Sequence, residues 1–271
     1  MLWSKAIGAG GAGGVVEGWN VSTSVFVQSF RVTYENTPTG VFFKPDGTKM
    51  YIIGTSSVRV VEYNLSTAWD VSTASFVQRF FVGSQESSPR GLSFNSDGTK
   101  MYIIGPNSRA AHEYNLSTAW DVSTAVFLQS FSVAAQDTAP RGMFFKPDGL
   151  KMYVVGAIGD DVNEYNLSTA WDVSTASFVQ RFYVGPQESI PYGVFFKPDG
   201  LKMYVVGENG DEVNEYNLST AWNVSTASFV QNFSVAAQEI QPYGLFFKPD
   251  GTKMYIIGPV GDDVNEYDLT A

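Results

Sequence analysis

Thr39, Arg90, Arg141, Tyr192 and Tyr243 occupy one position of a 51-residue period, and they are the residues best suited to hold a ligand. A guanidinium offers paired donors to a carboxylate or phosphate, and a phenol offers a flat face for stacking. Two of each side by side suit an anionic or sugar-like group. The competing reading of these residues is that they close a channel mouth and pair with Glu86, Asp137, Glu188 or Glu239. A second set falls at hairpin tips: Arg59, Arg109 and the acidic pairs Asp160-Asp161, Asp211-Glu212 and Asp262-Asp263. Carboxylate pairs are oxygen donors for a hard cation such as Ca²⁺. Each pair belongs to a different copy, however, and Asp beside Gly is ordinary hairpin chemistry, so no metal is expected. Catalytic groups are scarce. His112 is the only histidine, its counterparts are Val61, Asn163, Asn214 and Asn265, and the sequence contains no cysteine. Neither a His-based metal centre nor a Ser-His pair can be assembled from this set, and disulfides are excluded. The expectation is a non-enzymatic protein without a cofactor.

The elements that must position these residues come from the repeat itself. Gly47, Gly98, Gly149, Gly200 and Gly251 mark five copies at a constant interval of 51 residues. Each copy holds four apolar runs separated by turn chemistry, as in Gly142–Phe145, Lys151–Val155, Val162–Leu167 and Phe178–Val184. Pro147-Asp148-Gly149 stops the first run, because Pro presets one turn torsion and Gly accepts a positive one. The first run is apolar on both faces and needs neighbours on each side, which radial stacking of identical sheets provides. The predicted fold is therefore an all-β, five-bladed β-propeller of four-stranded antiparallel blades. Phe26–Val32 is a fourth strand without partners at the start, and residues 244–269 supply only first, second and third strands at the end. Together they close the ring and leave no orphan edge.

Fivefold repetition also separates framework from variation. Glu62, Glu113, Glu164, Glu215 and Glu266 recur in every third strand and suggest a blade-to-blade salt bridge with Lys49, Lys100, Lys151, Lys202 and Lys253. Trp19, Trp69, Trp120, Trp171 and Trp222 form a ring on the rim that barely changes, read either as a glycan platform or as a cap on each blade. The opposite rim carries the variable residues, so partner contacts are expected there.

Bulk properties narrow the partners. A net charge of −10 argues against a nucleic-acid ligand, which needs a basic face. No apolar stretch reaches transmembrane length, and Met1–Ile7 meets Gly8 before a secretory core forms, so neither membrane insertion nor a signal peptide is expected. Residues 1–18 stand outside the repeat as a Gly-rich arm tipped by Leu2, Trp3 and Ile7, read as a frayed end or as an anchor docking into a partner, with residues 19–271 forming the propeller.

Gly142–Gly149, followed by Met152–Val155 and Val162–Asn166, resembles the Tyr-Val-Thr-Asn and lactonase-like propeller repeats. Tyr165–Thr175 is similar to the highly repetitive propeller segments of bacteriophage tail-fibre and other virion structural proteins, marine phages and cyanophages especially. The resemblance covers residues 19–271. It implies a structural or adhesive component of a phage virion, made in the host cytoplasm and present in several copies per particle. Other virion proteins would be met through the arm, and a host surface glycan or protein through the variable rim. A sugar-binding lectin, or an amplified scaffold without a ligand, are the alternatives.

Overall fold

The computed structural model of the protein describes residues 18–269, which form five four-stranded sheets around one axis. In the first blade Pro38–Phe43 is innermost, followed outward by Lys49–Gly54, Arg59–Leu65 and Ala74–Phe81. Three further blades repeat this order between Gly91 and Ser132, Pro140 and Tyr183, and Pro191 and Ser234. The fifth takes Gly244–Phe247, Lys253–Ile257 and Asp263–Leu269 from the end of the chain and its outer strand, Ser24–Arg31, from the beginning. Ser24 faces Leu269 and Arg31 faces Asp263, so the expected strand-sharing closure is what the chain forms. Leu2, Trp3 and Ile7 lie outside the described residues. Gly18, which was assigned to the arm, already packs on the fifth blade, where an added Cβ would come 2.6 Å from the Gly251 carbonyl carbon.

Close approach of the inner strands fixes the width of the ring. At Gly142 an added Cβ would stand 2.3 Å from the carbonyl oxygen of Tyr192 in the next blade, a distance only a residue without a side chain tolerates. Next along each inner strand come Val41, Leu92, Met143, Val194 and Leu245, a buried belt that floors a cavity at each end of the axis.

The indoles are wedges between blades. Gly47 takes φ +73° in its turn, and the Trp69 ring lies where a Cβ would be, so two constraints require glycine there. Trp69 then stacks on Phe43 of its own blade at 5.6 Å and on Tyr255 of the preceding blade at 6.3 Å. The Tyr255 hydroxyl donates to the Trp69 carbonyl at 2.6 Å. Trp19, Trp69, Trp120 and Trp222 are 6–9% exposed, so their faces are spent on packing and are not a sugar platform.

The expected blade-to-blade salt bridge is corrected. Lys49 pairs with Glu62 inside one blade, from the second strand to the third, because Tyr51 and Glu62 are register partners and Lys49 lies two residues away on the same face. Glu62 still joins blades, through its other oxygen: Oε2 accepts from Val122 N of the next blade and from Gln78 Nε2. The link recurs at Glu113–Val173, Glu164–Val224, Glu215–Val21 and Glu266–Val71, with N···O distances of 3.1–3.2 Å throughout. The donating amide opens a single 3₁₀ turn such as Val71–Thr73, held by the Asp70 side chain accepting from Ser72 N. Each outer strand carries a bulge opposite this glutamate, for example between Glu62 and Tyr63 in the pairing with Ala74–Phe81. Such an offset interrupts the ladder of an otherwise open edge.

Candidate functional site at the channel mouth

The five residues read from the repeat converge. Each precedes the glycine of an inner strand at one mouth of the channel; Thr39, Arg90, Tyr192 and Tyr243 line a cleft of about 40 Å³, and Arg141 joins them through its contact with Tyr192. Tyr192 and Tyr243 stack at 3.7 Å with an interplanar angle of 3°. The guanidinium carbon of Arg141 lies 4.4 Å from the Tyr192 ring centre, and its Nη1 donates to the Tyr192 hydroxyl at 2.7 Å. Arg90 approaches the same ring at 5.8 Å. Thr39 plays a different part, since its buried hydroxyl shares its one hydrogen between the backbone carbonyls of Ile53 at 3.3 Å and Pro89 at 3.2 Å.

The electrostatics favour an incoming anion. Burial is the largest influence on Arg90 and works against its charge, and the neighbouring Arg141 adds like-charge repulsion, although a guanidinium stays protonated regardless. Burial, together with the hydrogen bond to Tyr192, holds the Tyr243 phenol neutral by raising it far above the usual range. Among the described residues the arginines in ion pairs are Arg31 and Arg181, and neither Arg90 nor Arg141 joins them. The Nε–H groups of both are buried without a partner. Glu208 is the carboxylate whose charge reaches Arg90, and it accepts from Gln241 instead.

Neither arginine forms an ion pair with Glu86, Asp137, Glu188 or Glu239, although the charge of Arg141 reaches Asp137 and favours its ionised form. These acids bind backbone. Glu86 accepts from Ser88 N at 2.7 Å and Ser108 N at 2.9 Å, tying the loop before the inner strand to the hairpin at the same rim. Glu188 does so with Ile190 N and Gly210 N, and Glu239 with Gln241 N and Gly261 N. Asp137, one methylene shorter, reaches Ala139 N but leaves Oδ2 unpartnered, and burial raises its acid range to about 6.

The hairpin-tip residues sit on this rim, apart from the cleft, and all but Arg109 are engaged locally. Arg59 lies over Phe81 at 5.3 Å and donates to the Ser57 carbonyl. Arg109 is exposed in the left-handed region at φ +54°. Asp161 pairs with Arg181 at 3.2 Å, Glu212 accepts from Asn232, and Asp263 faces Arg31 across the closing strands. Among the described residues no three metal-ligating side chains gather. His112 is buried, with Nε2 2.8 Å from Ser108 Oγ and a proton affinity lowered by burial.

One feature escaped the sequence reading: at the opposite mouth the inner strands carry Phe42, Phe144, Phe195 and Phe246, but the second blade carries Ser93. Aligning the five copies at that column is the signal that finds it.

No known family profile matches the chain, and no curated protein does. Solved structures are similar in fold. A protein from Lactobacillus plantarum superposes with a TM-score of 0.54 at 13% identity, over 85% of this chain and 67% of that one. A putative 6-phosphogluconolactonase from Bacteroides uniformis gives 0.51 at 13%, over 82% and 64%. A β-propeller domain from Myceliophteria thermophila gives 0.52 at 11%, over 91% and 100%. This chain thus spans about two thirds of the length of the first two. The likeness is one of fold, and none of the three is named as a phage protein.

Proposed function

We propose that this chain is a recognition module in which a rigid ring presents Arg90, Arg141, Tyr192 and Tyr243 to an anionic group. Two partly buried guanidiniums without carboxylate partners, stacked about an aromatic pair, carry the reading. The cleft of about 40 Å³ admits a carboxylate or a similar small anion and leaves a sugar ring outside, so the ligand class is an acidic glycan rather than a neutral one. The similarity of Tyr165–Thr175 to phage tail-fibre repeats supports placing the module on a virion, as a structural or adhesive component meeting a host surface. On this proposal other virion proteins are its remaining partners and no cofactor takes part.

The test is binding to an array of acidic and neutral glycans at low and physiological salt. Loss of one charge-assisted contact costs about 1.5–3 kcal/mol, so Arg141→Ala is expected to weaken acidic-glycan binding roughly tenfold to a hundredfold. Binding confined to neutral glycans, or unaffected by Arg90→Ala and Arg141→Ala, refutes the anion reading. Mass spectrometry of purified particles tests the virion placement separately, and absence of the chain from them removes it. The likeness in fold to a protein named a putative 6-phosphogluconolactonase supports lactone hydrolysis as a second reading. Turnover of a sugar lactone, abolished by Arg90→Ala, would establish it.

A further inference from the structure

At the mouth opposite Arg90, the axis ends in a cavity of about 290 Å³ whose walls are almost wholly apolar. Its lining is a fivefold arrangement with one member missing. Phe144 meets Phe195 edge to face at 5.1 Å, Phe195 meets Phe246 at 5.3 Å, and Phe246 meets Phe42 at 5.2 Å. The next ring in the circle would be at Ser93, and the ladder stops there. Exposure follows the gap: Phe195 and Phe246, in the middle of the run, are 8% exposed and count as buried, whereas Phe42 and Phe144, which flank Ser93, are only partly buried. The polar lining is one-sided as well. Ser93, Asn95 and Ser96 all come from the second blade, where the other four copies place Phe, Lys and Pro.

We propose that this cavity binds a free aromatic molecule of one or two rings bearing a hydrogen-bonding substituent, of the phenol or indole class. The ring takes the place of the absent fifth phenyl, between Phe42 and Phe144, and completes the edge-to-face circle. The substituent points to the Ser93 hydroxyl. Size agrees, since an apolar cavity of about 150 Å³ already accommodates benzene in a protein interior. Access comes through the rim of Pro-Asp-Gly turns, where Pro45, Pro147 and the exposed Ser96 border the opening. The inference is independent of the anion site, because the buried belt of Val41, Leu92, Met143, Val194 and Leu245 lies between the two mouths.

Titration of the full chain with 4-fluorophenol, followed by ¹⁹F NMR, and with phenol, indole and toluene by calorimetry, tests this. Saturable 1:1 binding is expected, with phenol held severalfold more tightly than toluene. Ser93→Phe puts back the side chain found in the other four copies and is expected to weaken binding at least tenfold; Ser93→Leu, which adds less bulk, gives the same reading should the larger variant not fold. Ser93→Ala is expected to retain toluene binding while losing the preference for phenol. Absence of saturable binding, or unchanged binding in both blocking variants, overturns the proposal. A chain lacking residues 1–17 that binds the probe tenfold more tightly would assign the cavity to the chain's own segment and overturn it equally.

Discussion

Changing Glu62 to Gln tests the joint between blades. Glu62 is 0% exposed, and its two oxygens accept from protein groups: Lys49 at Oε1, and Val122 N and Gln78 Nε2 at Oε2. An amide has the same shape but must turn an NH₂ toward one of those donors, so one side of the joint faces donor against donor and the partly buried Lys49 loses its counter-charge. Breaking a buried, hydrogen-bonded ion pair from one side costs about 3–5 kcal/mol. Because the geometry recurs, Glu113→Gln, Glu164→Gln and Glu215→Gln are expected to cost the same within about 1 kcal/mol, the usual scatter of context, and Glu266→Gln less, since Lys253 keeps Asp268 as a second carboxylate partner at 2.6 Å. Urea denaturation followed by Trp fluorescence measures it, each indole being wedged at a blade junction. A loss below about 1 kcal/mol in any of the first four blades would show that water or a rearranged side chain replaces the joint, and the reasoning would fail.

Two further outcomes follow from residues that break the fivefold pattern or set the ring's width. Burial raises the acid range of Asp137 to about 6 from 3.8, so the native state binds this proton more tightly than the unfolded chain. Asp137's own contribution to stability is therefore greatest below about pH 4 and falls as pH climbs through 6, by up to about 3 kcal/mol for a change of that size. Asp137→Asn is expected to match the parent at pH 4 and to exceed it by up to that amount at pH 7, read from urea midpoints across the range. Gly142→Ala, which sets a methyl 2.3 Å from the Tyr192 carbonyl oxygen, is expected to destabilise by on the order of 3 kcal/mol and to disturb Tyr192, visible as weaker acidic-glycan binding.

The repeat made the fold legible. Pro-Asp-Gly turns, Gly-led inner strands and an outer strand left over at the start determine five blades and their closure, because those features are local or follow from counting. The positions of Arg90, Arg141, Tyr192 and Tyr243 at one mouth were legible for the same reason. Partnerships were not. Lys49 was assigned to a neighbouring blade although register places it beside Glu62 in its own, and Glu86 was assigned to an arginine although its nearest donors are backbone amides of two loops. Both errors concern which of several nearby groups a carboxylate chooses, and that depends on distances of an ångström or two that spacing does not carry. Ser93 was overlooked because a serine in a strand signals nothing until its four counterparts are known to face one axis.

Five copies with one pairing register pose a hazard for a folding chain, since Ser24–Arg31 matches every third strand about as well as its own. Connectivity resolves the ambiguity. Arg59–Leu65 has its own outer strand, Ala74–Phe81, only a short turn away, and the same holds in the next three repeats. Short loops close faster and at lower entropic cost than a span of more than two hundred residues. The local hairpins therefore occupy four of the five edges early, and the edge at Asp263–Leu269 is the vacancy that remains when the first strand arrives.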